Sequence, residues 1–374
     1  MRSTTTSHVP DDSHRLLFAL GRPLSPLYGA LMQLRAGLYA RNVLTRHRLP
    51  VPVISIGNLT LGGSGKTPLV HFLARELRQR GWHPAVISRG YGGKATGRIN
   101  VVSDGSKLLL DAEIAGDEPR MLAELLPAVP VLTGVVRRLP ALHAVQHYGA
   151  DILLLDDGFQ HLALQRDLDL VLFNADTLAG NSRVFPGGVL REPVKALRRC
   201  HAFVLTGVTD ANRERATRFA ALLQQRFPGR PAFLLERGET QLLRRDTDGE
   251  LRTVALQALR QTPAYAFCGI ARPESFSRSL QALGLSPLDL RSLADHQRYD
   301  EQLWRQLQQQ ATACGARALI TTLKDFVKVR HRASAIPLYV LSQELREQPD
   351  FFHFVQQRLP RTPTPVSGGN NTGL

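Results

Sequence analysis

The chain has 374 residues, 43% hydrophobic and 21% charged, so it can bury a substantial core and does not have the composition of a disordered protein. Lys and Arg outnumber Asp and Glu by 47 to 32, and the formal net charge of +15 favours anionic partners such as acidic membranes or phosphorylated substrates. The three cysteines, Cys200, Cys268 and Cys314, are far apart, which excludes a disulfide framework and a cysteine-based zinc site.

The basic excess is nearly all arginine, spread along the chain, and biased codon usage explains it as readily as a functional surface does. Aromatic residues make up 6% and form no cluster with the arginines, so no nucleic-acid partner is expected. The N-terminus lacks the basic start, apolar stretch and cleavage site of a secretory signal, and no apolar run is long enough for an ordinary membrane span.

Residues 1–13 are polar and read as loose. Over 16–44 the chain turns apolar, with Leu27, Leu31, Leu34 and Leu38 at helical spacing and Arg35, Arg41, Arg46 and Arg48 close by. Two readings stand at this level: a helix lying in the plane of an anionic membrane surface, or a helix packed on the protein's own core. From Val51, apolar strands at 51–56, 84–88, 129–133, 152–156, 168–173 and 202–206 alternate with helical stretches at 67–80, 118–126, 137–148 and 192–199. Near-continuous apolar strands alternating with helices predict an α/β fold, a doubly wound parallel sheet covered on both faces. Further strands at 264–270, 317–322 and 336–341, with a hairpin turn in 244–251, predict a second, smaller α/β domain. The expected organisation is an N-terminal segment over 1–48, a core over 49–207, the smaller domain over 208–360 and a disordered low-complexity tail over 361–374.

Thr60, Leu61, Gly62, Gly63, Ser64, Gly65, Lys66 and Thr67 follow the first of these strands and open a helix, the context of a P-loop. The glycines let successive N–H groups face one anion, and the helix N-terminus adds its positive dipole end. Lys66 is placed to neutralise the β- and γ-phosphates of ATP, and Thr67 to hold Mg²⁺ through its hydroxyl. Thr60 stands where the usual motif begins with glycine. The strand Ile152-Leu-Leu-Leu-Asp156 ends in the acids Asp156 and Asp157, candidate Mg²⁺ ligands at the carboxyl end of a sheet strand. Phosphoryl transfer also needs a proton acceptor for the attacking hydroxyl. The residues leave this open among Asp117, Glu118, Asp157, Glu192 and Asp295, and Asp117 reads equally well as a helix N-cap. A guanine-reading Asn/Thr-Lys-x-Asp segment is absent, which counts against a GTPase switch.

The stretch 53–68, together with Ser88-Arg-Gly-Tyr-Gly92, Gly116-Asp-Glu-Pro119, Leu155-Asp-Asp-Gly-Phe-Gln-His161, Gly188-Val-Leu-Arg-Glu-Pro193 and Asp295-His296, resembles the tetraacyldisaccharide 4′-kinase family, motif by motif and in order. The resemblance runs from about residue 23 to about residue 341; Thr322-Leu-Lys-Asp325 departs from the family's usual Thr-Glu-Lys-Asp. It implies transfer of the ATP γ-phosphate to the 4′-hydroxyl of a tetraacylated glucosamine disaccharide 1-phosphate, a glycolipid, giving lipid IVA at the cytoplasmic face of the inner membrane. It also implies Asp117 as general base, oriented by His296 from the smaller domain, with Asp156 and Asp157 handling Mg²⁺. Tyr91, Arg137 (with Arg138 beside it), Gln160, His161, Arg191 and Glu192 fall where the family lines its active site.

Overall fold

The computed structural model describes residues 18–246, 251–270, 272–295, 297–346 and 348–360. The expected loose start at 1–13, the tail at 361–374, His296 and the tip of the expected hairpin at 247–250 lie outside these residues. The fold is mixed α/β, with thirteen mostly parallel strands among the described residues, and divides into two compact units. One takes the residues up to Lys66 with Asp157–Leu235; the other takes Thr67–Asp156 with Glu236 onward.

The strands are β1 (Val53–Asn58), β2 (Pro84–Ser88), β3 (Asn100–Ser103), β4 (Val131–Thr133), β5 (Ile152–Asp156), β6 (Leu168–Asn174), β7 (Ala202–Val208), β8 (Ala232–Arg245), β9 (Leu251–Thr253), β10 (Ala264–Cys268), β11 (Asp289–Ser292), β12 (Ala318–Thr322) and β13 (Leu338–Leu345). In the first unit β1, β6 and β7 run parallel, with Ile56 opposite Leu170 and Leu172 opposite Val204. All three are buried along their whole length, which is why they read as near-continuous apolar runs rather than alternating ones. Phe173, Phe203 and Leu205 pack with Ala216, Ala220 and Leu223 of the helix Asp210–Arg226. Each fully buried Phe or Leu contributes about 1.5–3 kcal/mol relative to exposure.

The same unit carries the N-terminal helix Ser25–Ala40, with Pro26 in its first turn. Ser25 Oγ donates to the Val184 carbonyl and accepts from Gly187 N, both at 2.8 Å, so the helix start is pinned to that loop. Gly29 is buried over Pro193. Leu27, Leu31 and Leu34 are 72%, 56% and 60% exposed, so this leucine row is not packed on the protein's own core. No described helix is long and apolar enough to cross a membrane.

In the second unit β5, β2 and β4 are parallel and β3 closes that edge antiparallel to β4. A further set runs β11, β10, β12, β13 in parallel, with β8 antiparallel to β13 and β9 antiparallel to β8. Leu243 pairs with Thr253 and Arg245 with Leu251, so the strands flanking the expected hairpin do run antiparallel. Phe267, Trp304, Leu307, Leu319, Phe326 and Val340 form one core here. Cys200 and Cys268, in separate units, are buried, and burial pushes each thiol up to about 12.

Two expectations are corrected. The helical stretch expected at 192–199 is a 3₁₀ turn, Val194–Arg199, preceded by Pro193. Asp117 is not a helix cap: Gly116 occupies the N-cap position and Asp117 is the first residue of the helix Asp117–Leu125. Gly116 is required there, because its φ is +93° and a Cβ would lie 2.7 Å from the Tyr91 carbonyl oxygen.

Candidate active site

Residues 60–66 leave β1 and enter the helix Lys66–Gln79. The loop's start is tied down: Thr60 bridges Leu190, Leu61 N donates to the Val189 carbonyl at 2.7 Å, and Asn58 Nδ2 donates to the Thr60 carbonyl at 2.7 Å. At its end, Thr206 Oγ1 donates to the Ser64 carbonyl at 2.7 Å. Gly65 has φ +78°, and a Cβ there would meet Thr206 Oγ1 at 2.8 Å, so only glycine fits this turn. At Gly62 and Gly63, by contrast, a Cβ would meet nothing within 4 Å. Open space over that part of the backbone is what an approaching anion requires.

The same unit holds a cluster of charge. Lys66 is buried, its Nζ 3.5 Å from Asp157 Oδ1 and 3.4 Å from Asn58 Oδ1. Arg191 Nη1 donates to both Asp157 oxygens, at 2.9 and 2.8 Å. Arg191 is itself positioned by its N–H on the Leu59 carbonyl at 2.8 Å, so the antiparallel bridge that ties the loop also aims the guanidinium. Asp157 has φ +52°, a left-handed conformation that Asp tolerates, and this turn brings Gly158 N to the Ile56 carbonyl at 3.1 Å. Glu192 is buried and takes Arg199 through both oxygens, at 2.9 and 3.0 Å, while the Arg199 guanidinium lies 4.6 Å over the Phe159 ring. Gln160 Nε2 donates to the Asn58 carbonyl at 3.0 Å, and the His161 carbonyl accepts from Arg166 Nη1 at 3.0 Å.

The second unit holds Thr67, Asp156, Tyr91, Asp117 and Arg137. Asp156 ends β5 at 1% exposure, and Ser88 Oγ donates to its Oδ2 at 3.2 Å. Thr67 and Arg137 are buried, the latter at the N-cap of the helix Arg138–Tyr148, whereas Tyr91 is 80% exposed. Asp117 Oδ2 lies 2.8 Å from Lys328 Nζ.

Ion pairs hold four of the five acids left open as proton acceptors. Glu192 faces a bidentate guanidinium fork from Arg199, and Asp157 shares one Arg191 nitrogen between its two oxygens, so both acids are engaged at both oxygens. Asp295 pairs with Lys324 at 2.8 Å, and Asp117 pairs with Lys328 through a single nitrogen. The sequence reading did not single out Lys328, Asn58, Thr206 or Arg199. Lys328 carries one usable signal: a lysine inside the apolar run Phe326-Val-Lys-Val329, three residues after Asp325, is costly to bury without partners.

A mixed α/β fold of mostly parallel strands, with a glycine-rich loop between a buried strand and a helix, has the features common to α/β nucleotide-binding proteins. The family model described as tetraacyldisaccharide-1-P 4′-kinase matches residues 17–360, and the chain belongs to that family of kinases. A tetraacyldisaccharide 4′-kinase of Desulfotalea psychrophila is 46% identical over 327 residues, spanning 87% of this chain and 91% of the relative. One of Geobacter sulfurreducens is 41% identical, spanning 89% and 90%. The crystal structure of LpxK from Aquifex aeolicus in complex with ATP superposes with a TM-score of 0.73 at 30% identity, covering 92% of this chain and all of that one.

Proposed function

We propose that this chain transfers the γ-phosphate of ATP to the 4′-hydroxyl of tetraacyldisaccharide 1-phosphate, producing lipid IVA. The observation that carries the reading is the family match over nearly the whole described chain, with the glycine loop intact inside it. The ATP complex of the Aquifex relative supports the choice of nucleotide.

In this reading the amides around Gly62–Gly65 bind the triphosphate, and Lys66 neutralises charge that builds on the transferring phosphoryl group. Thr67 and Asp156 are both oxygen donors of the second unit, a donor set that suits Mg²⁺. Asp157 completes that set by the family resemblance, once its Arg191 partner yields. When bound, the ion would neutralise phosphate oxygens. Asp117 accepts the proton of the 4′-hydroxyl, with His296 orienting it. Tyr91, Arg137, Gln160, His161, Arg191 and Glu192 line the site and bind substrate. Purified protein given labelled ATP and the acylated disaccharide 1-phosphate in mixed micelles is expected to yield labelled bisphosphate lipid. Label transfer that does not depend on the lipid, or none at all, would remove the assignment.

The helix Ser25–Ala40 is the proposed contact with an anionic membrane surface, at the cytoplasmic face of the inner membrane. The exposed Leu27, Leu31 and Leu34 supply apolar area and Arg41, Arg46 and Arg48 the charge. Changing all three leucines to serine is expected to weaken binding to anionic vesicles about tenfold or more, since one fully buried leucine contributes about 1.5–3 kcal/mol and about 1.4 kcal/mol is a factor of ten. Vesicle sedimentation measures this, and unchanged partitioning would remove the helix from the contact.

A further inference from the structure

Lys328 belongs to the short helix Leu323–Val329, and its side chain is 7% exposed. Two acceptors from other chain segments hold its ammonium, Asp117 Oδ2 at 2.8 Å and the Gln297 carbonyl at 3.2 Å, and the charge of Asp325 on its own helix stands further off, Oδ1 at 3.9 Å. Asp325 is fully buried and fixed in turn, accepting from Gly269 N at 2.9 Å and from Thr322 Oγ1 at 2.7 Å. The Tyr299 ring closes the remaining side, its centroid 5.9 Å from Nζ. Burial, and then the charge of Asp325, pushes the Tyr299 phenol far above its usual range, so it stays neutral beside the lysine.

Holding the helix in place does not call for this arrangement. Phe326, Val327 and Val329 already anchor it in the core. Against an apolar pair of similar volume, a buried ion pair adds little net stability; what it does fix is geometry. An ammonium whose donors meet acceptors on two other segments, with a fixed carboxylate charge behind it, has little freedom to move.

We propose that Lys328 is a positioning residue for the transfer reaction: locked by Asp325 and the Gln297 carbonyl, its ammonium sets the place and direction of the Asp117 carboxylate. Lys324 of the same helix pairs with Asp295 at 2.8 Å, as Lys328 does with the Gln297 carbonyl. The Thr322-Leu-Lys-Asp325 stretch is thereby part of the footing of the Asp117 carboxylate, with Leu323 buried in the core.

The inference rests on Asp117 acting as the base, so the experiment is a double-mutant cycle on the full-length enzyme: Lys328→Met, Asp117→Asn and the pair, with Lys328→Arg alongside. Turnover, the KM for ATP and the melting temperature are read for each. Lys328→Met is expected to lower kcat about 10²-fold with the KM for ATP unchanged, the size of loss a misplaced catalytic group gives. Lys328→Arg, which keeps the charge, should recover part of it. In the Asp117→Asn background the Lys328→Met change should cost nothing further, because a positioning residue has no effect once the group it positions is gone.

Full activity of Asp117→Asn would sink the base assignment and this inference together. A slow Asp117→Asn beside a fully active Lys328→Met would sink the inference alone. Losses that multiply in the double variant would also overturn it, by showing that Lys328 acts through general stability. Should Lys328→Met not fold, Lys328→Gln takes its place in the same cycle.

Discussion

Asp117→Ala is expected to cut turnover by about 10²–10⁴-fold, the usual contribution of a general base, equivalent to about 2.7–5.4 kcal/mol of barrier. ATP affinity should survive, because the loop that would bind the triphosphate is held by Leu190, Val189, Asn58 and Thr206, none of which involves Asp117. Folding should survive as well. Asp117 is the first residue of its helix, Gly116 sets the turn, and Pro119, Leu122 and Ala123 bury the helix face. The loss of the carboxylate does remove one partner from a buried lysine, but Asp325 and the Gln297 carbonyl remain on the ammonium. Equilibrium binding of a fluorescent ATP analogue together with single-turnover phosphoryl transfer separates the two effects. Turnover at the unmodified rate would take Asp117 out of the mechanism.

How far the sequence shows this architecture depends on burial. β2 and β5 are buried on both faces, and their apolar runs match the observed bounds residue for residue. β1 runs two residues beyond its apolar run because Gly57 and Asn58 still pair with Val171 and Leu172; a Gly-Asn pair at that point reads as a turn. β13 likewise continues past its apolar run through Ser342 and Gln343, because these still pair with Gln241 and Thr240 of β8 in an antiparallel ladder. β8 itself, with Glu236, Gly238 and Glu239 in its run, has no continuous apolar signature, so it emerges only from pairing.

Site residues follow the same logic. The glycine loop and the acids of β5 lie within single short stretches whose chemistry shows in their spacing. Arg191 on Asp157, Arg199 on Glu192 and Lys328 on Asp117 are pairings set by the three-dimensional path of the chain. Spacing along the sequence carries no trace of the last, since its partners are far apart in the chain.

Lys66→Met carries the other large expected effect, about 10²–10³-fold in turnover, the cost of removing one preorganised donor from a developing charge. Whether this would be a catalytic or a folding defect turns on what the lysine leaves behind. Its contacts with Asp157 and Asn58 are long, at 3.5 and 3.4 Å, while Arg191 grips both Asp157 oxygens at 2.9 and 2.8 Å. Asp157, itself only half-buried, therefore keeps its counter-charge, and no carboxylate is orphaned. Methionine also preserves most of the buried stem. The melting temperature should stay close to that of the unmodified protein while turnover collapses. Arg191→Met reverses the balance for Asp157, leaving it only the looser lysine contact, so that variant should melt earlier than Lys66→Met. Equal melting shifts for the two would show that the Arg191 contact does not dominate the Asp157 environment.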